Sequence, residues 1–290
     1  VKVAHPRLED VLAEARGRFA EAGLDDPATE ARILVSGLIG LSAAQLVSKG
    51  STAIETGQAE AIRAAIVRRL AHEPIHRILG EREFYGLSLR LSPATLEPRP
   101  DTEILVDAIL PHAKALATAY RDIHILDLGT GTGAICLALL YECPGAIGTG
   151  SDISLEALKT AAANAERNGL GERFQTIRSD WFEGISGGFH VIVSNPPYIA
   201  SSVIATLAPE VTNFDPPAAL DGGADGLDAY RAIAADAARF LHRDGVLGLE
   251  IGYDQRVAVT RIFEGAGFFL AESVRDYGRN DRALLFRRKN

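Results

Sequence analysis

Apolar residues recur at three- and four-residue spacings in LEDVLAEARGRFAEAG and again in EAIRAAIVRRLAH, and nothing between Pro6 and His72 has strand character. That spacing predicts helices with one buried stripe, hence a small helical bundle, punctuated at Pro27 and at the Gly/Ser breaks of 36–42. REFYGLSLRLSPATLEPRPDTE then alternates around Gly86 and becomes proline-rich, which predicts a hairpin-like connector. After a helix over about Thr102–Ala119, strands and helices alternate. HILDLG, the helix GAICLALLYE and the strand AIGTGSD open the series, followed by the helix SLEALKTAAANAERNGL and the strands FQTIRSD and HVIVSN. A helix near 227–242 and the strand GVLGLEIG continue it. Strands separated by helices of this length pair in parallel through right-handed crossovers. FFLAESVRD and RALLFRR, joined by YGRN, predict an antiparallel hairpin at one sheet edge. The expected division is a helical domain over 1–82, the connector over 83–101 and an α/β domain over 102–290.

The strand ends carry the chemistry. DLGTGTGAI follows the first strand of the alternating series and enters a helix. Gly129, Gly131 and Gly133, with Thr130 and Thr132 between them, allow a tight turn and close approach to a ligand, while the helix N-terminus offers free N–H groups. Asp152, 23 residues beyond Gly129, ends the second strand, where a carboxylate can accept bonds from ribose hydroxyls. An adenosine-type ligand follows from the pair, although a tight turn without a ligand also satisfies the glycine pattern. Gly129-x-Gly131-x-x-Ala134 fits the relaxed dinucleotide fingerprint as well, so a nicotinamide-dependent dehydrogenase stays open. SDWF ends the third strand and puts Asp180 and Trp181 at the border of the same crevice, with Trp181 against an adenine face or in the core.

VIVSNPPYIA, residues 191–200, stops a buried strand with Asn195, Pro196, Pro197 and Tyr198. Proline fixes its own φ and pushes the preceding residue out of the helical region, so Asn195 and Pro196 are extended or turn-like. The Asn195 side-chain oxygen and the Pro196 carbonyl then make two acceptors with no adjacent charge, which suits a planar –NH₂ group with two protons to donate. Tyr198 can cover the flat face of that group. The expected chemistry is on an amide or aromatic amine, whose delocalised lone pair is a poor nucleophile until both N–H bonds are held. With the methyl group of S-adenosylmethionine as electrophile, alignment at roughly 3–3.5 Å is the main contribution and no strong general base is required.

Composition removes other classes. At 290 residues and 47% hydrophobic content, the chain can form one large or two moderate domains with ordinary cores. The most apolar run, Ile33–Val47, is interrupted by Ser36, Gly37 and Gly40 and falls short of the roughly 18–20 residues of a membrane span. No secretory pattern opens the sequence, so a cytoplasmic protein without membrane contact is expected. Cys136 and Cys143 fall in one predicted helix, roughly 10 Å apart along its axis, too far to bridge. Residues 1–82 carry 11 basic and 11 acidic side chains, so residues 83–290, with 19 against 27, hold the whole net charge of −8. An enzyme acting on a duplex carries a basic footprint on its catalytic part, so no direct nucleic-acid partner is expected, and the chain is expected to be a monomer. HEPIH at 72–76 spells a zinc-protease string, but Pro74 cannot sit inside the helix such a site needs; no metal is expected.

GEREFYGLSLRL, PRPDTE, LDLGTGTGAI, SDISLEAL, SDWF, VSNPPYI, DGGADGLDAYR and LEIGYDQ carry a further inference by their order and content. Through them the chain resembles the class I S-adenosylmethionine-dependent methyltransferases that modify glutamine. It is most similar to the release factor-specific protein-(glutamine-N5) methyltransferases, the PrmC/HemK family. The likeness spans nearly the whole chain and is loose in the helical N-terminal part. Asn-Pro-Pro-Tyr alone is shared with amino-methylating DNA and RNA enzymes, so an adenine-N6 methyltransferase is the first alternative; PRPDTE and the helical domain separate this branch. The resemblance implies an α/β, Rossmann-like, mostly parallel sheet with helices on both faces and an antiparallel edge hairpin, preceded by the helical bundle. It implies that Gly129, Thr130, Gly131, Thr132, Gly133, Asp152, Trp181 and Asn195 bind S-adenosylmethionine, with S-adenosylhomocysteine as product. Asn195, Pro196, Pro197 and Tyr198 would hold the substrate glutamine, with Asn195, Pro196 and Tyr198 as the catalytic set. The helical domain would grip a peptide chain release factor presenting the glutamine of its Gly-Gly-Gln loop. Pro98, Arg99 and Pro100 keep a segment from which the related enzyme acting on a large-subunit ribosomal protein departs. Asp215 in NFDPPAAL stands where the family carries a glutamate.

Overall fold

In the computed structural model, which describes residues 5–289, Leu8, Val11, Ala15 and Phe19 form one buried stripe along the first helix. The chain divides after Gly80 into two compact units. The first contains α1 (Leu8–Glu21), α2 (Pro27–Ile39), α3 (Ala43–Ser48), α4 (Thr56–Leu70) and α5 (Ile75–Leu79) around a core of its own. Its breaks have local causes. Asp26 caps α2 by accepting the Thr29 N–H at 3.1 Å, Pro27 occupies the first turn, and Gly40 ends the helix at φ +65°. Pro74 is the N-cap of α5 and His72 has φ +67°, so the helix that HEPIH would need is not formed.

The second unit opens with the hairpin β1 (Glu81–Phe84) and β2 (Leu87–Arg90). Its two turn residues, Tyr85 and Gly86, have φ of +52° and +77°, the positive pair that matches the twist of a two-residue hairpin. The proline segment ends in a 3₁₀ turn, Pro100–Thr102, and leads into α6 (Glu103–Ala119). There follow β3 (Ile123–Leu128), α7 (Ala134–Glu142), β4 (Ala146–Asp152), α8 (Leu155–Arg167), β5 (Phe174–Arg178) and β6 (Phe189–Ser194). Two one-turn helices, α9 (Ser201–Ile204) and α10 (Pro209–Thr212), precede α11 (Asp228–Phe240), β7 (Leu241–Glu250), α12 (Arg256–Gly265), β8 (Phe268–Arg275) and β9 (Asp281–Arg288).

The sheet runs β5-β4-β3-β6-β7-β9-β8. Its first five strands are parallel, β9 is antiparallel to both neighbours, and β8 is the outer edge. Alternation along each strand divides the core between two faces. Ile125, Val191 and Val193 pack with α6 and α7, whereas Leu126, Leu128, Ile192 and Leu249 pack with α11 and α12. Among the described residues, no helix is long and apolar enough to cross a membrane.

The fold corrects three local expectations. Cys143 is the C-cap of α7 and lies outside that helix; both thiols are free and buried. β7 begins at Leu241, so the helix before it stops at Phe240. α12 has no counterpart in the sequence reading, although Val259 and Phe263, four apart and buried, supply its packed stripe.

Candidate active site

The strand order reverses between β3 and β6: the chain leaves β3 toward β4, and leaves β6 toward β7. Such a switch opens a crevice beyond the carboxyl ends of the strands. Register brings the relevant residues to that edge together. Leu128 pairs with Ser151 on one side and Ser194 on the other, and Ser194 pairs with Leu249. The residues that follow, Gly129, Asp152, Asn195 and Glu250, therefore come from four adjacent strands. The Ser194 hydroxyl locks two of these ends together by donating to the Leu128 carbonyl at 2.7 Å.

A cavity of about 530 Å³ occupies the crevice. Gly129, Thr130, Gly131, Thr132, Asp152, Trp181, Asn195 and Pro197 all line it. Gly133 does not; at φ +85° it caps the start of α7. Pro196 is buried behind the wall, and Tyr198 lines an adjoining cavity of about 150 Å³ together with Asn195 and Glu250. Much of the remaining wall went unassigned from sequence: Leu96, Pro98, Arg99 and Thr102 from the proline segment, and Pro216, Ala218 and Ala219 opposite. Proline runs hold such walls rigid without secondary structure, which is the signal they offered.

The glycine loop is built for its shape. Gly129 and Gly131 have φ of +70° and +54°, and a Cβ on either would meet nothing within 4 Å. Their requirement is the left-handed backbone itself. Asp152 joins this loop to the next helix: Oδ2 accepts the Gly131 N–H at 3.0 Å and Oδ1 accepts the Ser154 N–H at 2.9 Å. Beneath the loop, buried Asp127 accepts from the Thr130 hydroxyl at 2.8 Å, and burial pushes its carboxyl up to about 7. Trp181 lines the cavity and also packs on the α11 face of the core. Its φ of +48° is a costly conformation for a bulky residue, held by the Ser179 hydroxyl donating to its carbonyl at 2.8 Å.

The Asn-Pro-Pro-Tyr turn is clamped from behind. Gln255 donates to the Tyr198 carbonyl at 2.9 Å and to the Gly226 carbonyl at 3.1 Å. Ile199 bonds Leu220 and Gly222 through its backbone at 3.0 and 2.8 Å. Arg99 donates to buried Asp215 at 2.8 Å, so the shorter acid at 215 still reaches its arginine. Gly222 leaves no room for a side chain: a Cβ there would lie 2.8 Å from the Pro197 carbonyl oxygen and 2.9 Å from the Tyr198 Cα. Gly222→Ala is therefore expected to destabilise the fold by about 1–3 kcal/mol in denaturant unfolding, since backbone must move. Wild-type stability would show that the clamp has slack.

Residues 10–80 match the model of the PrmC N-terminal domain, and residues 102–213 that of the methyltransferase small domain. A release factor glutamine methyltransferase of Agrobacterium fabrum is 58% identical over 277 residues, covering 96% of each chain. One from Rhodospirillum rubrum is 44% identical over 97% of this chain and 85% of its own. The solved structure of a methyltransferase from Pyrococcus furiosus overlays with a TM-score of 0.54 at 19% identity, over 79% of this chain and 98% of that one, and speaks to the fold. The chain belongs to the release factor glutamine methyltransferase family.

Proposed function

We propose that this enzyme transfers a methyl group from S-adenosylmethionine to the side-chain amide nitrogen, N5, of the glutamine in the Gly-Gly-Gln loop of peptide chain release factors. The observation that carries the reading is the place of Asn195, which lines both the 530 Å³ and the 150 Å³ cavity. A donor and an acceptor entering from the two sides would meet at its side chain.

The larger cavity suits the donor. Its size is that of a small-molecule site, and it combines a glycine loop, a helix N-terminus, a carboxylate and an indole. Gly129–Thr132, Asp152 and Trp181 would hold S-adenosylmethionine, which supplies an electrophilic methyl group when bound. On the acceptor side, Asn195 Nδ2 donates to the Thr102 hydroxyl at 3.3 Å, which leaves Oδ1 for another partner. That oxygen and the Pro196 carbonyl would accept both N–H bonds of the glutamine amide and aim its nitrogen. The Tyr198 ring would cover the amide plane. The nitrogen sheds its proton most readily once the new C–N bond has formed, so the turn needs no strong base.

The helical unit would supply the grip on the release factor. A dehydrogenase would leave the Asn-Pro-Pro-Tyr turn without a purpose, and the acidic balance of residues 83–290 weighs against a nucleic-acid substrate. Incubation with labelled S-adenosylmethionine and purified release factors, ribosomal proteins and DNA is expected to place the label on a release factor glutamine, located by mass spectrometry. Label on nucleic acid and never on glutamine would overturn the reading.

A further inference from the structure

Charged side chains are few on the wall of the 530 Å³ cavity. Among the described residues that line it, Asp152 and Asp180 are acidic and Arg99 is the one basic side chain. S-adenosylmethionine carries a sulfonium, an ammonium and a carboxylate, so its two positive charges and one negative charge are the reverse of the wall's. We infer that Arg99 binds the α-carboxylate of the methyl donor.

The place of Arg99 is fixed by its own segment. It stands between Pro98 and Pro100, and the proline after it keeps its backbone extended, at φ −94° and ψ 146°. Its carbonyl accepts the Thr102 N–H at 3.0 Å, which ties it to the 3₁₀ turn. At the other end of the side chain, Nη2 donates to buried Asp215 at 2.8 Å. A guanidinium presents five N–H donors in a planar fork, so the bond to Asp215 leaves a second edge for another anion. That edge is open, since 45% of the Arg99 side chain is exposed while its partner is covered. Held in this way, the side chain loses little further freedom when a ligand binds.

The walls also say which end of the donor comes here. Asp152, Asp180 and Trp181 belong to the part of the cavity suited to adenosine. Arg99, like Asn195, lines both this cavity and the adjoining one, and so stands at their junction. The donor's sulfur must reach that junction for its methyl group to cross, and only a short carbon chain joins the sulfur to the carboxylate. The glycine loop offers a weaker site for an anion, because Asp152 already takes the Gly131 N–H at 3.0 Å. Asp215 has a further effect: its negative charge offsets the repulsion between Arg99 and the sulfonium. The inference rests on the reading that the larger cavity takes S-adenosylmethionine.

The test titrates wild type, R99M and R99Q with two ligands by calorimetry, and follows melting temperature. One ligand is S-adenosylmethionine; the other is decarboxylated S-adenosylmethionine, which keeps the adenosine, the sulfonium and the amine. R99M, which keeps an unbranched stem and removes the fork, is expected to weaken S-adenosylmethionine by roughly tenfold to a hundredfold and the decarboxylated ligand by less than about threefold. Wild type is expected to prefer S-adenosylmethionine by a similar factor. Equal affinity of the wild type for the two ligands, or equal losses on both in R99M, would overturn the inference and leave Arg99 as a brace for the Asp215 wall. R99Q, which can still donate to Asp215, supplies the same contrast should R99M fail to fold. Absence of S-adenosylmethionine binding to the wild type would overturn the proposed function together with this inference; binding without the contrast overturns the inference alone.

Discussion

Asn195→Ala is expected to lower kcat by roughly a hundredfold or more while changing S-adenosylmethionine affinity by less than about threefold. The side chain occupies a small part of the large cavity wall, alongside a loop and a carboxylate that can hold the donor without it. On the acceptor side nothing replaces it: the turn has one side-chain carbonyl oxygen, and a pair of N–H bonds held by one acceptor leaves the nitrogen free to rotate away from attack. Alignment lost in this way appears in the chemical step and not in donor binding. Single-turnover methyl transfer to a release factor, set beside a calorimetric titration of the cofactor, separates the two. Equal losses in both would reduce Asn195 to a cofactor or structural residue.

Asp152→Ala has the opposite signature. Its two oxygens hold the N–H groups of Gly131 and Ser154, one at the glycine loop and the other at the start of α8. Hydrogen bonds to a charged group are worth about 1.5–3 kcal/mol each, and the partial exposure of Asp152 argues for the lower end of that range. Its loss also frees a loop whose glycines, Gly129, Gly131 and Gly133, have left-handed backbones. The cofactor dissociation constant is expected to rise by roughly tenfold to hundredfold, with kcat at saturating cofactor within about threefold. Affinity equal to wild type would remove Asp152 from the site.

The readable part of the molecule was the part written in local chemistry. AIGTGSD spans the same residues as β4, because Gly148 and Gly150 lie under Cys136 and Phe174 where a side chain would collide, and β-branched neighbours flank them. The glycine loop and the Asn-Pro-Pro-Tyr turn were legible for the same reason, since glycine frees φ and proline fixes it wherever they stand. Residues whose meaning depends on a distant partner were not. Arg99 and Asp215 are 116 positions apart and Thr102 and Asn195 are 93 apart. Glu250 reads as the polar end of a strand until its burial is seen. The left-handed Trp181 is invisible too, because nothing in the letters SDWF announces a strained tryptophan. α12 was missed because its apolar stripe is only two fully buried residues wide.

The placement of β9 between β7 and β8 has a consequence for synthesis. Among the described residues, β8 has no neighbour but β9, which links it to the rest of the sheet. A growing chain therefore exposes β8 and the free margin of β7 until residues 281–288 emerge, and Glu250 at the end of that margin gains Ala283 as its partner only then. Parallel strands can assemble in chain order, but the antiparallel edge of the sheet forms last. A ribosome stalled before β9 would carry a domain with two open strand edges, the kind of surface that templates aggregation.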